Sequence, residues 1–246
     1  QSQNQLASLR ILFPKLQKAF YNNRTREYDD GSIWLMEHLS NKIYSKFNSF
    51  PLELKKLVES DTINLNGQKI VGLTSTLSKI INDESNMNFY SPCGLSMIHG
   101  DLTFENILYN SHDDVKLIDM DGANVIDAVE LDLGKMFQSL VGKYESWANE
   151  TKQFLICNPD GNFQLDVDFD VNDELLNLCI DSWSKILDEN KSRVYKKALF
   201  YMGLHFVRMI PFRLSKKPQQ YITPLLLATK FIHDSFELNI SGVISK

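Results

Sequence analysis

Met97-IHGDLTFENILYNSHDDVKLIDMDGA-Asn124 is the stretch around which this chain is organised. It sets His99 and six acidic residues, with Asn106 among them, between short apolar runs. Ile107-Leu108-Tyr109 and Val115-Lys116-Leu117-Ile118 predict two short strands joined by the polar turn 110–114. Such a ribbon brings Asn106, at its entry, beside Asp119, at its exit.

Those residues suit phosphoryl transfer. The spacing is His99-x-Asp101-x4-Asn106, followed by Asp119 inside an Ile-Asp-Met-Asp turn. Transfer needs an acceptor hydroxyl that is aligned and partly deprotonated, and Mg²⁺ to neutralise the nucleotide phosphates. Asp101 is the candidate base. The Asn106 amide oxygen and the Asp119 carboxylate are hard ligands of the kind Mg²⁺ prefers. Leu108 and Ile118 supply an apolar floor for adenine. Asp121 reads either as a further metal-side or loop-bracing carboxylate or as an exposed turn residue; Asp113 and Asp114 read as a solvated turn.

HGDLTFENIL followed by LIDMDGA resembles the catalytic core of the aminoglycoside phosphotransferase and choline kinase superfamily, kinase-like enzymes that phosphorylate small molecules. The match spans residues 97–140. Its downstream run, Glu130-Leu-Asp132-Leu-Gly-Lys-Met-Phe-Gln-Ser-Leu140, resembles the helix that follows the core in that superfamily. The resemblance implies that Asp132 braces the catalytic loop and that His99 orders it. It implies ATP and Mg²⁺ as cofactor and metal, and a small-molecule hydroxyl as acceptor. A sugar or sugar precursor leads, and amino alcohols of the choline type or aminoglycosides are alternatives. Tyr21-Asn-Asn-Arg-Thr25 and INLNGQKI also resemble phosphotransferases found with bacterial surface-polysaccharide genes, which puts Arg24 forward for the acceptor pocket. A protein kinase fits less well: Gly100 replaces the Arg of HRD, Thr103 stands where a catalytic-loop Lys would be, and no Ala-Pro-Glu follows.

The implied fold is α+β and mainly helical, a protein-kinase-like C-lobe with a short β ribbon at its catalytic centre. Residues 1–246 then form one kinase-like domain, with the core at 97–140 and a helical substrate-side subdomain at 141–246. Before the core there is no Gly-x-Gly-x-x-Gly loop and no Val-Ala-Ile-Lys strand, so the N-lobe is expected to be absent or incomplete. That leaves open a catalytically incomplete binding or regulatory module. It also leaves open a further N-terminal domain in a longer parent chain.

Composition narrows the partners. A net charge of −5 gives no basic footprint, which argues against nucleic acid and anionic membranes. No apolar run reaches the ~20 residues of a bilayer span. The three cysteines, Cys93, Cys157 and Cys179, are odd in number and lack metal-ligand spacing, as in a reduced, cytoplasmic protein.

Away from the core, helical spacing recurs at 4–22 (with a kink or break at Pro14), 52–59, 73–83, 131–148, 172–188, 191–209 and 219–236. Residues 32–48 fit either a helix capped by Ser32 or an apolar strand-to-hinge segment. Ile63 to Ile70, turning at Asn66-Gly67, predicts a hairpin, and 22–31 and 158–161 predict loops. The acidic run Asp166, Asp168, Asp170, Asp173, Glu174 reads as an edge strand with one wet face; attraction of a cationic substrate is the alternative. It fails as a calcium loop, with Val171 in the Gly position. Arg208, Arg213, Lys216 and Lys217 either complement a helix C-terminus or grip an acidic or phosphorylated substrate. Trp34, Trp147 and Trp183 are expected in the core.

Overall fold

The computed structural model describes residues 2–22, 31–110, 114–122, 126–148, 155–157, 162–216 and 221–238. Over these residues it is α+β and mostly helical, with three small sheets. The chain begins with α1 (Ser2–Leu16), which runs through Pro14 and then widens into a π-type turn at Gln17–Tyr21. Proline removes one backbone donor, and the widened turn directly after it absorbs the lost rung. Residues 32–48 are helical: α2 (Gly31–His38), a second wide turn (Leu39–Tyr44) and the short α3 (Ser45–Phe47). Ser32 lies inside α2, which starts at Gly31, so it is not the cap expected of it.

α4 (Leu52–Glu59) and the hairpin of β1 (Thr62–Leu65) and β2 (Gln68–Val71) follow as the spacing predicts. Asn66 and Gly67 both take positive φ, at 51° and 77°, the turn that matches strand twist. α5 (Leu73–Ile81) comes next, and then an unforeseen α6 (Glu84–Tyr90). The signal for α6 was Asp83, whose side chain accepts from Asn86 N–H at 2.8 Å.

The centre is built from three-residue strands. β3 (Leu95–Met97) pairs antiparallel with β6 (Ile126–Ala128). β4 (Ile107–Tyr109) pairs antiparallel with β5 (Val115–Leu117), Ile107 opposite Leu117. Because β3 ends just before the loop from His99 to Phe104 and β6 ends where α7 (Val129–Leu140) starts, their pairing sets loop and helix side by side. The single helix expected over 131–148 is two. α7 stops at Leu140, Lys143 turns left-handed at φ 51°, and α8 spans Tyr144–Ala148.

β7 (Leu155–Cys157) and β8 (Asn162–Leu165) complete a sheet of order β2-β1-β8-β7, with β1 and β8 parallel. β8 is therefore interior, not the expected edge, and it ends before the acidic run. Asp166, Asp168 and Asp170 do face solvent while Val167 and Phe169 pack inward, so the wet face is real without a strand beneath it.

The remaining helices are α9 (Asp173–Leu187), α10 (Lys191–Lys216) and α11 (Ile222–Glu237). α10 extends past its predicted end and through Pro211, packing against both α7 and α11. Every residue from Lys197 to Val207 on it is buried, the mark of a central helix rather than a surface one. Trp34, Trp147 and Trp183 are core residues. Among the described residues no helix is long and apolar enough to cross a membrane.

Candidate active site

α7 organises the site. Asp132, Lys135 and Ser139 sit at i, i+3 and i+7, so one stripe of the helix carries all three. Each holds a different point of the loop from His99 to Phe104. Asp132 accepts from His99 N–H at 2.7 Å and Gly100 N–H at 2.8 Å. Lys135 pairs with Asp101 Oδ1 at 2.9 Å. Ser139 Oγ accepts from Phe104 N–H at 2.9 Å and donates to Glu145 Oε1. Fully buried Leu102 anchors the loop's apolar side.

Asp132 is itself fully buried and also accepts from Tyr21 Oη–H at 2.8 Å. Burial pushes its carboxyl above the usual range, and the three donated hydrogen bonds oppose that rise. Tyr21, at the end of the wide turn after α1, is thereby tied to the loop brace.

His99 is fully buried. Its carbonyl accepts from Asp121 N–H at 2.9 Å, and its Nδ1 accepts from Asp101 N–H at 3.3 Å. It orders the loop by those contacts. Gly100 has φ +82°, and a Cβ there would meet Asp121 Cβ at 2.7 Å. Conformation and space both require glycine where a protein kinase carries arginine.

Asn106 donates through Nδ2 to Asp101 O at 2.8 Å and to Asp101 Oδ2 at 3.1 Å. That fixes the amide through its Nδ2 end and leaves Oδ1 as its acceptor end. The Asn106 carbonyl accepts from Ile118 N–H at 3.1 Å, which draws the exit of the ribbon toward its entry. Asp119 follows with φ 54°, a left-handed conformation unusual outside glycine that concentrates at functional sites. Asp101, Asp119, Asp121, Lys135, His205 and Arg208 line one cavity of about 310 Å³.

The ribbon turns Ile107 and Leu117 to the core and leaves Leu108 and Ile118 48% and 38% exposed. Met97, Met120 and Ile126 add further exposed apolar surface on the same framing elements. Ile118 and Met120 flank the cavity residue Asp119 in the chain, so exposed apolar surface adjoins the polar cavity there.

Among the described residues there is no cluster of three or more His, Cys, Asp or Glu able to hold a metal unaided. A Mg²⁺ that shares phosphate oxygens needs fewer protein ligands, one or two with waters completing the shell. An amide locked to present its oxygen, plus one exposed carboxylate, fits that donor set.

The residues singled out in the sequence take separate places around this cavity. Asp101, Asn106 and Asp119 come together, Asp132 and His99 brace the loop, and Asp121 both lines the cavity and ties its backbone to His99. Arg24 lies outside the described residues, as do Asp113 and Lys217. Sequence reasoning missed Lys135 and Ser139, although their spacing from Asp132 was visible. It also missed Tyr21 as a partner of Asp132 and His205 on the cavity wall. His205 donates Nε2–H to Leu131 O at 2.8 Å, and burial holds it far below the usual imidazole range, hence neutral.

Comparison with family models, with curated proteins and with solved structures returned no match.

Proposed function

We propose that residues 1–246 form a kinase-like phosphotransferase domain that moves the γ-phosphoryl group of ATP to a hydroxyl of a small molecule. The observation that carries the reading is the double hold on Asp101, whose two carboxylate oxygens are taken by Lys135 and Asn106, on the wall of a cavity shared with Asp119. A base needs a fixed direction toward the acceptor proton, and two anchors from different elements fix it. Asn106 and Asp119 would hold Mg²⁺, which when bound screens the charge on the transferred phosphate. Lys135 stands where it can accompany that charge, and so supplies the cation that Thr103 withholds from the loop. Leu108 and Ile118 give the nucleotide base its apolar contact. The protein's share of catalysis is then positioning and electrostatics.

A sugar or sugar-derived alcohol remains the leading acceptor, in keeping with the resemblance to surface-polysaccharide phosphotransferases. The second reading, a kinase-like binding or regulatory module, has its own support. Among the described residues, the segment before His99 is largely helical, with β1, β2 and β3 as its short strands.

Calorimetry with Mg²⁺-ATP separates the two. The phosphotransferase reading expects binding that depends on Mg²⁺ and weakens about tenfold or more in Asp119→Ala or Asn106→Ala, a loss of roughly 1.4 kcal/mol or more. Absence of nucleotide binding favours the module.

A further inference from the structure

Arg208, Arg213 and Lys216, close in sequence in the last third of α10, meet three different surroundings. Arg213 is 2% exposed, donates to Ala148 O at 3.1 Å and Tyr144 Oη at 3.4 Å, and lies over the Tyr144 and Trp147 rings. It is part of the core. Lys216 is exposed at the helix end, where a cation complements the dipole. Arg208 does neither. It is half-buried in the wall of the cavity that holds Asp101.

Among the described residues no carboxylate lies within 4.0 Å of Arg208. Its hydrogen-bond partner there is neutral His205, whose Nδ1 is 3.5 Å from Nη1, too long for a strong charged bond. Asp127, Asp121 and Asp101 act on it from farther away, and the first and last of these have other work. Asp127 accepts from Trp34 Nε1–H at 3.0 Å and Ala128 N–H at 2.8 Å. Asp101 is held by Lys135 and Asn106. Burial disfavours the charged form of Arg208, and the more distant Asp127, Asp121 and Asp101 act against that.

A guanidinium does not shed its proton, and its planar fork of donors matches a carboxylate or phosphate. Lys135 cannot serve the same purpose while it holds the base. We propose that the acceptor carries an oxyanion, a carboxylate or phosphate, and that Arg208 receives it while the acceptor's hydroxyl faces Asp101. This rests on the phosphotransferase reading of the same cavity. It makes the acceptor an acidic or phosphorylated alcohol rather than a cationic amino alcohol or aminoglycoside.

The test is binding without nucleotide or Mg²⁺, so that it does not depend on turnover. D-glycerate and glycerol 3-phosphate are titrated into the full chain with glycerol as the neutral counterpart, followed by amide NMR shifts. Both sources of oxyanion are represented, and their ratio says which the site prefers. At least one anion is expected to bind at least about tenfold more tightly than glycerol, the scale of one charge-assisted pair. Arg208→Gln removes that preference, and Arg208→Lys keeps part of it. If the Gln variant does not fold, a weakened anion preference in Arg208→Lys, with glycerol unchanged, supports the proposal equally. Equal binding of all three compounds, no binding of either anion, or an anion preference unchanged in the Arg208 variants overturns the proposal. Anion binding in a chain that fails to bind Mg²⁺-ATP counts against the phosphotransferase reading alone.

Discussion

Two clusters of charge lie against the same pair of helices, α7 and α10, and they are completed differently. In the first, Lys197 is fully buried and donates to Ser91 O at 2.8 Å, Glu130 Oε1 at 3.2 Å and Glu189 Oε1 at 2.9 Å. Glu130 Oε1 also accepts from Cys93 N–H at 2.8 Å, and burial pushes the Cys93 thiol far up. In the second, the Lys135 side chain is 19% exposed and that of Asp101 40%, and the cluster opens onto the cavity with Asp119 and Arg208. Residue types are much the same. The closed cluster uses its charges on the protein's own backbone and acids, and it joins the segment before β3 to α10. The open cluster keeps groups directed at space that a ligand can enter. Enclosure, more than composition, separates scaffold from site.

Lys197→Met breaks the closed cluster most severely. Glu130 loses its ammonium partner and stays buried, so the variant should be less stable by about 3–5 kcal/mol in urea denaturation. A loss below about 1 kcal/mol would mean that the cluster is not a structural ion pair.

Lys135→Met probes the open cluster and should behave in the opposite way. The pair is part-exposed, so stability should change by less than about 1 kcal/mol. Its effect belongs in kcat, which should fall about 10–100-fold through a misdirected base, with KM for ATP little changed. A large stability loss with unchanged kcat would place Lys135 with the scaffold.

Two buried imidazoles add a dependence on pH. His38 is held down to about 3, chiefly by burial and then by Arg208 and Lys42; His205 is also held low, chiefly by burial. Both folded values lie below the unfolded one, so the unfolded chain takes up these protons first. Their contribution to stability is full above about pH 6.5 and is lost as pH falls below it, by up to about 1.4 kcal/mol per pH unit for each group. Denaturation midpoints at pH 7, 6 and 5 should decline on that course, and His38→Asn should flatten the slope. A stability that rises on acidification would contradict neutral burial of both imidazoles.

Much of this was legible in the sequence, and the parts that were not have physical reasons. The ribbon could be read because Ile107 and Leu117 alternate with outward residues over very short strands, and α9, α10 and α11 because apolar spacing repeats over many turns. The grouping of Asp101, Asn106, Asp119 and Asp132 around one loop was legible from their spacing along the chain. The break in 131–148 was not, since apolar periodicity continues through Leu140, Val141 and Tyr144 while the backbone reverses at Lys143. The acidic run misled in another way, because alternation marks a wet face whether or not a strand lies beneath. Lys135 was missed, and Arg208 was left between two readings, for a third reason. Their meaning depends on what stands opposite them in space, and that is set by packing of α7 on the loop and of α10 on α7.

ADP formation from Mg²⁺-ATP by the intact chain and by Asp101→Asn tests the central claim most directly. The substitution keeps size and the hydrogen bond from Asn106 while removing the basic charge. It should leave the circular dichroism spectrum and nucleotide affinity intact and lower turnover by about 100-fold or more, the range for loss of a general base. Equal ADP formation by the two proteins would contradict the assignment of Asp101 as the base.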